Sequence, residues 1–217
     1  IDLSPVEAIV LSHGHWDNAG GMLKAPMLIR RRDGAKTVPY YAHPGMFRQR
    51  ANRLITGEVL PLKPIPGIDA LSAHGATVIA TTEACTLLDG LFYVSGEIPR
   101  VTPFERGVPG HQRRTENGDG WEPDPWLVDE RFLAVRVRDK GIVVFSACSH
   151  AGIINVLKEA RARFPDTPIQ GVMGGFHLAG VNESIIPATV AELKSFDLKT
   201  IAAGHCTGWR ATTALAA

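Results

Sequence analysis

Four times in this 217-residue chain an apolar run stops at small residues followed by histidine: Ser12-His13-Gly14-His15, Ala147-Cys148-Ser149-His150, Gly174-Gly175-Phe176-His177 and Ala203-Gly204-His205. Each run reads as a buried strand ending in a loop. Strand ends on one side of a sheet converge, so donors far apart in sequence can meet on a rigid frame. The pattern predicts an α/β chain with its chemistry along a sheet edge. In extended backbone, residues two apart project to the same side, which lets His13 and His15 chelate one cation. Asp17, two positions further on, is available to a neighbouring one.

A lone histidine is more often an ordinary packed or loop residue, so the recurrence carries the reading. Imidazole nitrogen and carboxylate oxygen suit zinc, with iron and manganese as alternatives, and one or two divalent ions are expected. Cys85, Cys148 and Cys206 form no C-x-x-C pair for a closed structural zinc. Cys148 and Cys206 adjoin site histidines but read as small hydrophobes. His43 ends a strand and is held extended by Pro44, which makes it a pocket-lining candidate. His74 and His111 fall in loops and are expected in solvent.

The remaining elements follow from period and turn chemistry. Strands are expected over 7–12, 38–42 and 91–94, a short basic helix or turn over 45–54, and loops with short strands over 61–79. Residues 132–138 and 142–145 flank Asp139-Lys140-Gly141 as a hairpin. Ile153, Ile154, Leu157, Ala160 and Phe164 recur at helical spacing after His150. Further strands lie over 169–173 and 200–203, with a helix over 184–196 between them. Residues 95–131 are rich in glycine, proline and charge without apolar period, and are read as a lid loop. Arg30-Arg31-Arg32, followed by Asp33-Gly34, is a charged turn.

Hydrophobic residues make up 45% and charged residues 21%, enough apolar material for a sizeable core. With 23 Lys plus Arg against 22 Asp plus Glu, a formal charge of +1 supplies no field for polyanions, so nucleic acid is not an expected partner. No apolar run approaches the roughly 18 residues of a membrane span. Three cysteines without an even disulfide framework fit a reducing, cytoplasmic setting.

The segment Ser12-His13-Gly14-His15-Trp16-Asp17-Asn18-Ala19-Gly20-Gly21 resembles the H-x-H-x-D-H signature of the metallo-β-lactamase superfamily. Ser95-Gly96-Glu97-Ile98-Pro99-Arg100-Val101, Cys148-Ser149-His150-Ala151-Gly152-Ile153, Gly174-Gly175-Phe176-His177-Leu178 and Gly204-His205-Cys206-Thr207-Gly208 look like its dihydropterin-ribofuranosyl-aminobenzene-phosphate synthase-like subgroup. The likeness covers nearly the whole chain. It implies an αββα sandwich with metals at one edge, the first held by His13, His15 and His150, the second by Asp17 and His205.

This sequence departs from that pattern twice. Asn18 stands where the motif has its next histidine, and no acid appears near Gly174-Gly175, where many members place a bridging aspartate. His177 is the obvious substitute, or it binds a substrate phosphate. Superfamily members also carry several strands before the motif. The expectation is therefore one domain over 1–217 lacking its N-terminal strands, either a fragment or completed by a partner chain, which leaves an oligomer open.

The resemblance further implies metal-activated water attacking an ester, lactone or phosphoester of a small molecule. Asp17 would orient that water. His177, with His43, Arg48 and Arg100 as substrate contacts, would meet developing or phosphate charge. A pterin-pathway transferase or synthase and a catalytically silent metal-binding module are the competing readings.

Overall fold

The computed structural model describes residues 2–29 and 37–217, so the Arg30-Arg31-Arg32 turn lies outside the described residues. The first elements are β1 (Ile9–Val10), α1 (Trp16–Ala19), α2 (Lys24–Leu28), β2 (Val38–Ala42), β3 (Arg50–Arg53), β4 (Val59–Pro61), α3 (Ile68–Ala73), β5 (Ala76–Ala80), β6 (Cys85–Leu87) and β7 (Phe92–Val94). There follow β8 (His111–Arg114), β9 (Trp121–Pro123), β10 (Leu133–Val137), β11 (Gly141–Ser146), α4 (Ile153–Arg163), β12 (Ile169–Gly175), α5 (Ile186–Lys194), β13 (Thr200–Gly204) and α6 (Trp209–Ala216). They form two compact units: Ile1–Thr82 with Gly110–Pro125, and Glu83–Pro109 with Trp126–Ala217.

In the first unit β1, β2 and β5 form a parallel sheet, with Ile9 opposite Tyr40 and Tyr40 opposite Val78. Its apolar cluster gathers Leu11, Ala19, Met22, Tyr40, Ala42, Met46, Leu71 and Ala76. Burying Leu11 and Tyr40 anchors the strand ends from which the His13 loop departs, each large side chain contributing about 1.5–3 kcal/mol. Burial also pushes the Tyr40 phenol up to about 12. A second, antiparallel sheet runs β4-β3-β8-β9.

That second sheet corrects two expectations. Within the stretch read as a basic helix or turn, Pro44–Phe47 is a 3-10 turn but Arg50–Arg53 is a strand. Its sequence, Arg-Ala-Asn-Arg, has no β-branched residue; pairing with β8 on one side and β4 on the other makes it extended. The 95–131 stretch likewise contains β8 and β9, whose polar sequences hide the strand period. Helix α3 also lies where only loops and short strands were expected.

The second unit holds a six-stranded sheet, β13-β12-β11-β10-β7-β6. The expected hairpin is present as β10 and β11, with Leu133 opposite Phe145 and Val137 opposite Gly141. Asp139 makes its turn in the left-handed region, at φ 59°. Strands β11, β12 and β13 are mutually parallel, joined through α4 and α5. Helix α4 buries Ile153, Ile154, Val156, Leu157 and Ala160 in the main core with Ile142, Val144, Val172 and Phe176. Its first turn is capped by Glu105, whose carboxylate accepts from the N–H groups of Ile154 and Asn155 at 2.8 Å each. The described residues contain no helix long and apolar enough to cross a membrane.

Candidate metal centre

In the first unit, the chain leaves β1 through Leu11, whose N–H donates to Tyr41 at 3.0 Å. Gly14 follows His13 because the backbone of Met46 passes so close that a Cβ would lie 2.3 Å from its carbonyl oxygen. The His13 and His15 rings meet edge to face with centroids 5.0 Å apart. His13 is fully buried, with Nδ1 3.0 Å from the Ser12 hydroxyl and Nε2 3.4 Å from the Asn18 amide nitrogen. An amide NH2 only donates, so the His13 lone pair is on Nε2. Asn18, the departure from the motif, thus serves the first histidine.

His15 precedes α1 in extended backbone and its Nε2 lies 3.1 Å from Nε2 of His111. His111 was expected in solvent; it sits on β8 at 1% exposure. Its Nδ1 is 3.0 Å from the Asp124 carbonyl oxygen, which only accepts, so Nδ1 carries the proton and, in the neutral ring, Nε2 the lone pair. His15 must then donate from Nε2, leaving Nδ1 as its ligand nitrogen. A ligand histidine whose other nitrogen donates to a fixed acceptor is the usual arrangement around bound metal. No sequence signal marked His111, a single histidine in a polar stretch.

Asp17 is exposed in the first turn of α1. His43 is buried and its Nδ1 accepts from the Gly45 N–H at 3.0 Å, so in the neutral ring the proton is on Nε2. Arg48 pairs with Glu116 at 2.9 Å and is 3.9 Å from Glu122. His74 bonds the Ala70 carbonyl at 2.6 Å and takes no part in the cluster.

In the second unit, the parallel register places Ser146 beside Gly174 and Gly175 beside Gly204, so three strands end side by side. The loops carrying Cys148 and His150, His177, and His205 with Cys206 therefore leave from one edge of the sheet, as the repeated sequence pattern required. They are tied together: Ser149 donates to the Gly175 carbonyl at 2.6 Å, and the Thr207 hydroxyl accepts from Phe176 N–H at 3.1 Å. Glu130 accepts from the N–H groups of His150 and Ala151 at 2.8 and 2.6 Å, while burial pushes its carboxyl up to about 7.

The rings of His150 and His177 lie 4.3 Å apart, centroid to centroid. Nδ1 of His177 is buried without a hydrogen-bond partner among the described residues. One ligand atom each from Cys148, His205 and Cys206 lies within 4.8 Å of the others. The Cys148 thiol, then His177, hold the Cys206 thiol well below its ordinary pKa against the opposing effect of burial. The two cysteines read as plain hydrophobes are thus part of a donor cluster, a placement that neighbouring sequence could not show. Arg100 spends its guanidinium on carbonyl oxygens of Ile98, at 2.6 Å, and Trp126.

Imidazole nitrogens with assigned lone pairs, an orphaned buried imidazole nitrogen and nearby thiols make a donor set that fits a borderline divalent cation such as zinc.

No family model matches the chain. A 7,8-dihydropterin-6-methyl-4-(β-D-ribofuranosyl)-aminobenzene-5'-phosphate synthase of Methanocaldococcus jannaschii is 29% identical over 222 residues, 97% of this chain and 69% of that protein. An uncharacterized protein of the same organism is 31% identical over 214 residues, 95% of this chain and 71% of its own length. The crystal structure of Tm1679, a metal-dependent hydrolase of the β-lactamase superfamily, matches at a TM-score of 0.75 and 22% identity, covering 97% of this chain and 72% of that one. At that identity the likeness is one of fold.

Proposed function

We propose that this chain, whose fold is that of a metal-dependent hydrolase of the β-lactamase superfamily, is a metal-dependent enzyme of that superfamily that hydrolyses an ester, lactone or phosphoester bond in a small phosphorylated molecule. The observation that carries the reading is the His13–His15 pair, rings edge to face with centroids 5.0 Å apart and His15 oriented by His111. In the proposal His13, His15 and His150 hold the first cation, zinc ahead of iron or manganese. Asp17, His177 and His205 are donors to a second cation or groups facing substrate.

A bound divalent cation supplies Lewis acidity and acidifies water to a pKa of about 7. Asp17, exposed in the first turn of α1, would be the carboxylate base for an attacking water. His177 presents its unpartnered Nδ1 to charge developing on the substrate, and His43 donates from Nε2. Arg48, half-exposed beside Glu116, is the proposed contact for a phosphate, with Arg100 acting as a brace for its own loop. Free thiols throughout support a cytoplasmic setting.

The archaeal relative favours a second reading, a synthase of the pterin pathway, because its likeness runs over nearly the whole chain. The deciding experiment loads the full chain with zinc, iron or manganese. It then assays phosphodiesters, lactones and thioesters beside formation of the product for which that relative is named. Hydrolysis abolished by His15→Ala supports the first reading. Product formation without hydrolysis replaces it with the second; bound metal without either reaction makes the chain a silent metal-binding module.

A further inference from the structure

Three groups in the second unit are more than bystanders of the histidines. Cys148 is buried, Cys206 half-buried and His205 exposed, and their ligand atoms lie within 4.8 Å of one another. Tetrahedral zinc with Zn–S bonds of 2.3 Å and Zn–N bonds of 2.0–2.1 Å needs sulfurs about 3.8 Å apart and sulfur to nitrogen about 3.6 Å. Rotation about the side-chain bonds of the three residues would have to close what separates the two spacings. Gly175 makes room for the cluster: a Cβ there would lie 2.6 Å from the Cys206 sulfur.

The loops that carry the thiols are held in one form. His205, at φ 49°, and Ser149, at φ 57°, hold the left-handed conformation that costs a non-glycine residue about 1–3 kcal/mol, on either side of the two thiols. The Ser149 bonds to Ser146 and Gly175 and the Thr207 bond to Gly204 hold the loops in that form.

We propose that Cys148, His205 and Cys206 form a thiolate-containing site for a thiophilic divalent cation, zinc or ferrous iron, with its remaining coordination position open beside exposed His205. The site keeps His205 as a ligand of the second cation in the proposed function, and replaces the expected oxygen donors with sulfur. Binding releases the two thiol protons to solvent as both sulfurs coordinate. A soft donor pair in a chain that also carries an imidazole-only site would let that chain hold two different metals. With three protein ligands and an open position the site has the form of a catalytic rather than a closed structural centre.

The test uses the full chain, reduced, stripped by chelator and reloaded with zinc or cobalt(II). Zinc-edge X-ray absorption on the wild-type protein is expected to show a sulfur shell at about 2.3 Å. Cobalt is expected to give a near-ultraviolet sulfur-to-metal band that falls to about half in Cys148→Ser or Cys206→Ser and vanishes in the double variant. Circular dichroism checks their folding, and the wild-type absorption measurement needs no variant. Only nitrogen and oxygen neighbours at about 2.0 Å, or a sulfur band that survives the double variant, would overturn the site. In His13→Ala the sulfur band is expected to persist, so failure of the imidazole site and failure of this one are read separately.

Discussion

His15 in the first unit sits on ordinary extended backbone, at φ −91° and ψ 145°, while Ser149, His177 and His205 in the second unit sit at φ 57°, 44° and 49°. The first unit aims its imidazoles by hydrogen bonds, from Asn18 to His13 and from His15 to His111. The second aims them by backbone held in a costly conformation, fixed by Ser149, Thr207 and the close approach of parallel strands. The first arrangement therefore depends on single side chains and the second on the packing of the sheet edge. A change of one side chain should cost the first unit its metal with little loss of fold; a change of one glycine should cost the second unit its fold.

The largest expected effect breaks the second arrangement. Gly174 has φ +133°, and a Cβ there would lie 1.8 Å from the Ser146 carbonyl oxygen. Gly174→Ala must push β12 from β11, with an expected loss on the order of 3–5 kcal/mol in urea unfolding. A loss below about 1 kcal/mol would mean the edge is more pliable than the comparison requires.

Next comes the first arrangement. His111→Ala removes the acceptor of the His15 Nε2–H, with an expected 10–100-fold drop in metal affinity, roughly the cost of losing such a partner. His111→Gln, which restores an acceptor oxygen, is expected to recover part of it. Equal affinity in wild type and the alanine variant, measured by competition with a chelator, would show that His111 does not orient His15.

The smallest effect concerns the cap of α4. Burial raises the Glu105 carboxyl above its ordinary pKa against the N–H groups of Ile154 and Asn155 and the Thr102 hydroxyl. The folded pKa exceeds the unfolded one, so this contribution is complete below about pH 4.5 and lost as pH rises through the folded value. Glu105→Gln is expected to cost about 1 kcal/mol at low pH and to flatten that slope. Unfolding curves across the acid range in both proteins check it; parallel slopes would place the titration elsewhere.

Much of this architecture was legible in the sequence where local pattern and tertiary partner agree. Strand β2 has its expected bounds, and the hairpin of β10 and β11, the helix after His150 and the two following strands all carry their own apolar period. Strand β3 was not legible because its extension comes from partners distant in sequence. Helix α6, with its Thr-Thr-Ala centre, offered too few large apolar residues to mark a face. The site divides in the same way. The histidines at strand ends could be read from the pattern, since a strand end is a local event. His111 and the thiols could not, because what gives them chemistry is a neighbour 96 residues away in one case and 58 in the other.

Metal content per chain, compared between the wild-type protein and His15→Ala after identical zinc loading, is the decisive readout for the imidazole site. The variant is expected to fold, retain the thiolate-bound ion and lose about one equivalent, because the imidazole site rests on single side chains. A folded variant that binds as much zinc as the wild type would contradict it.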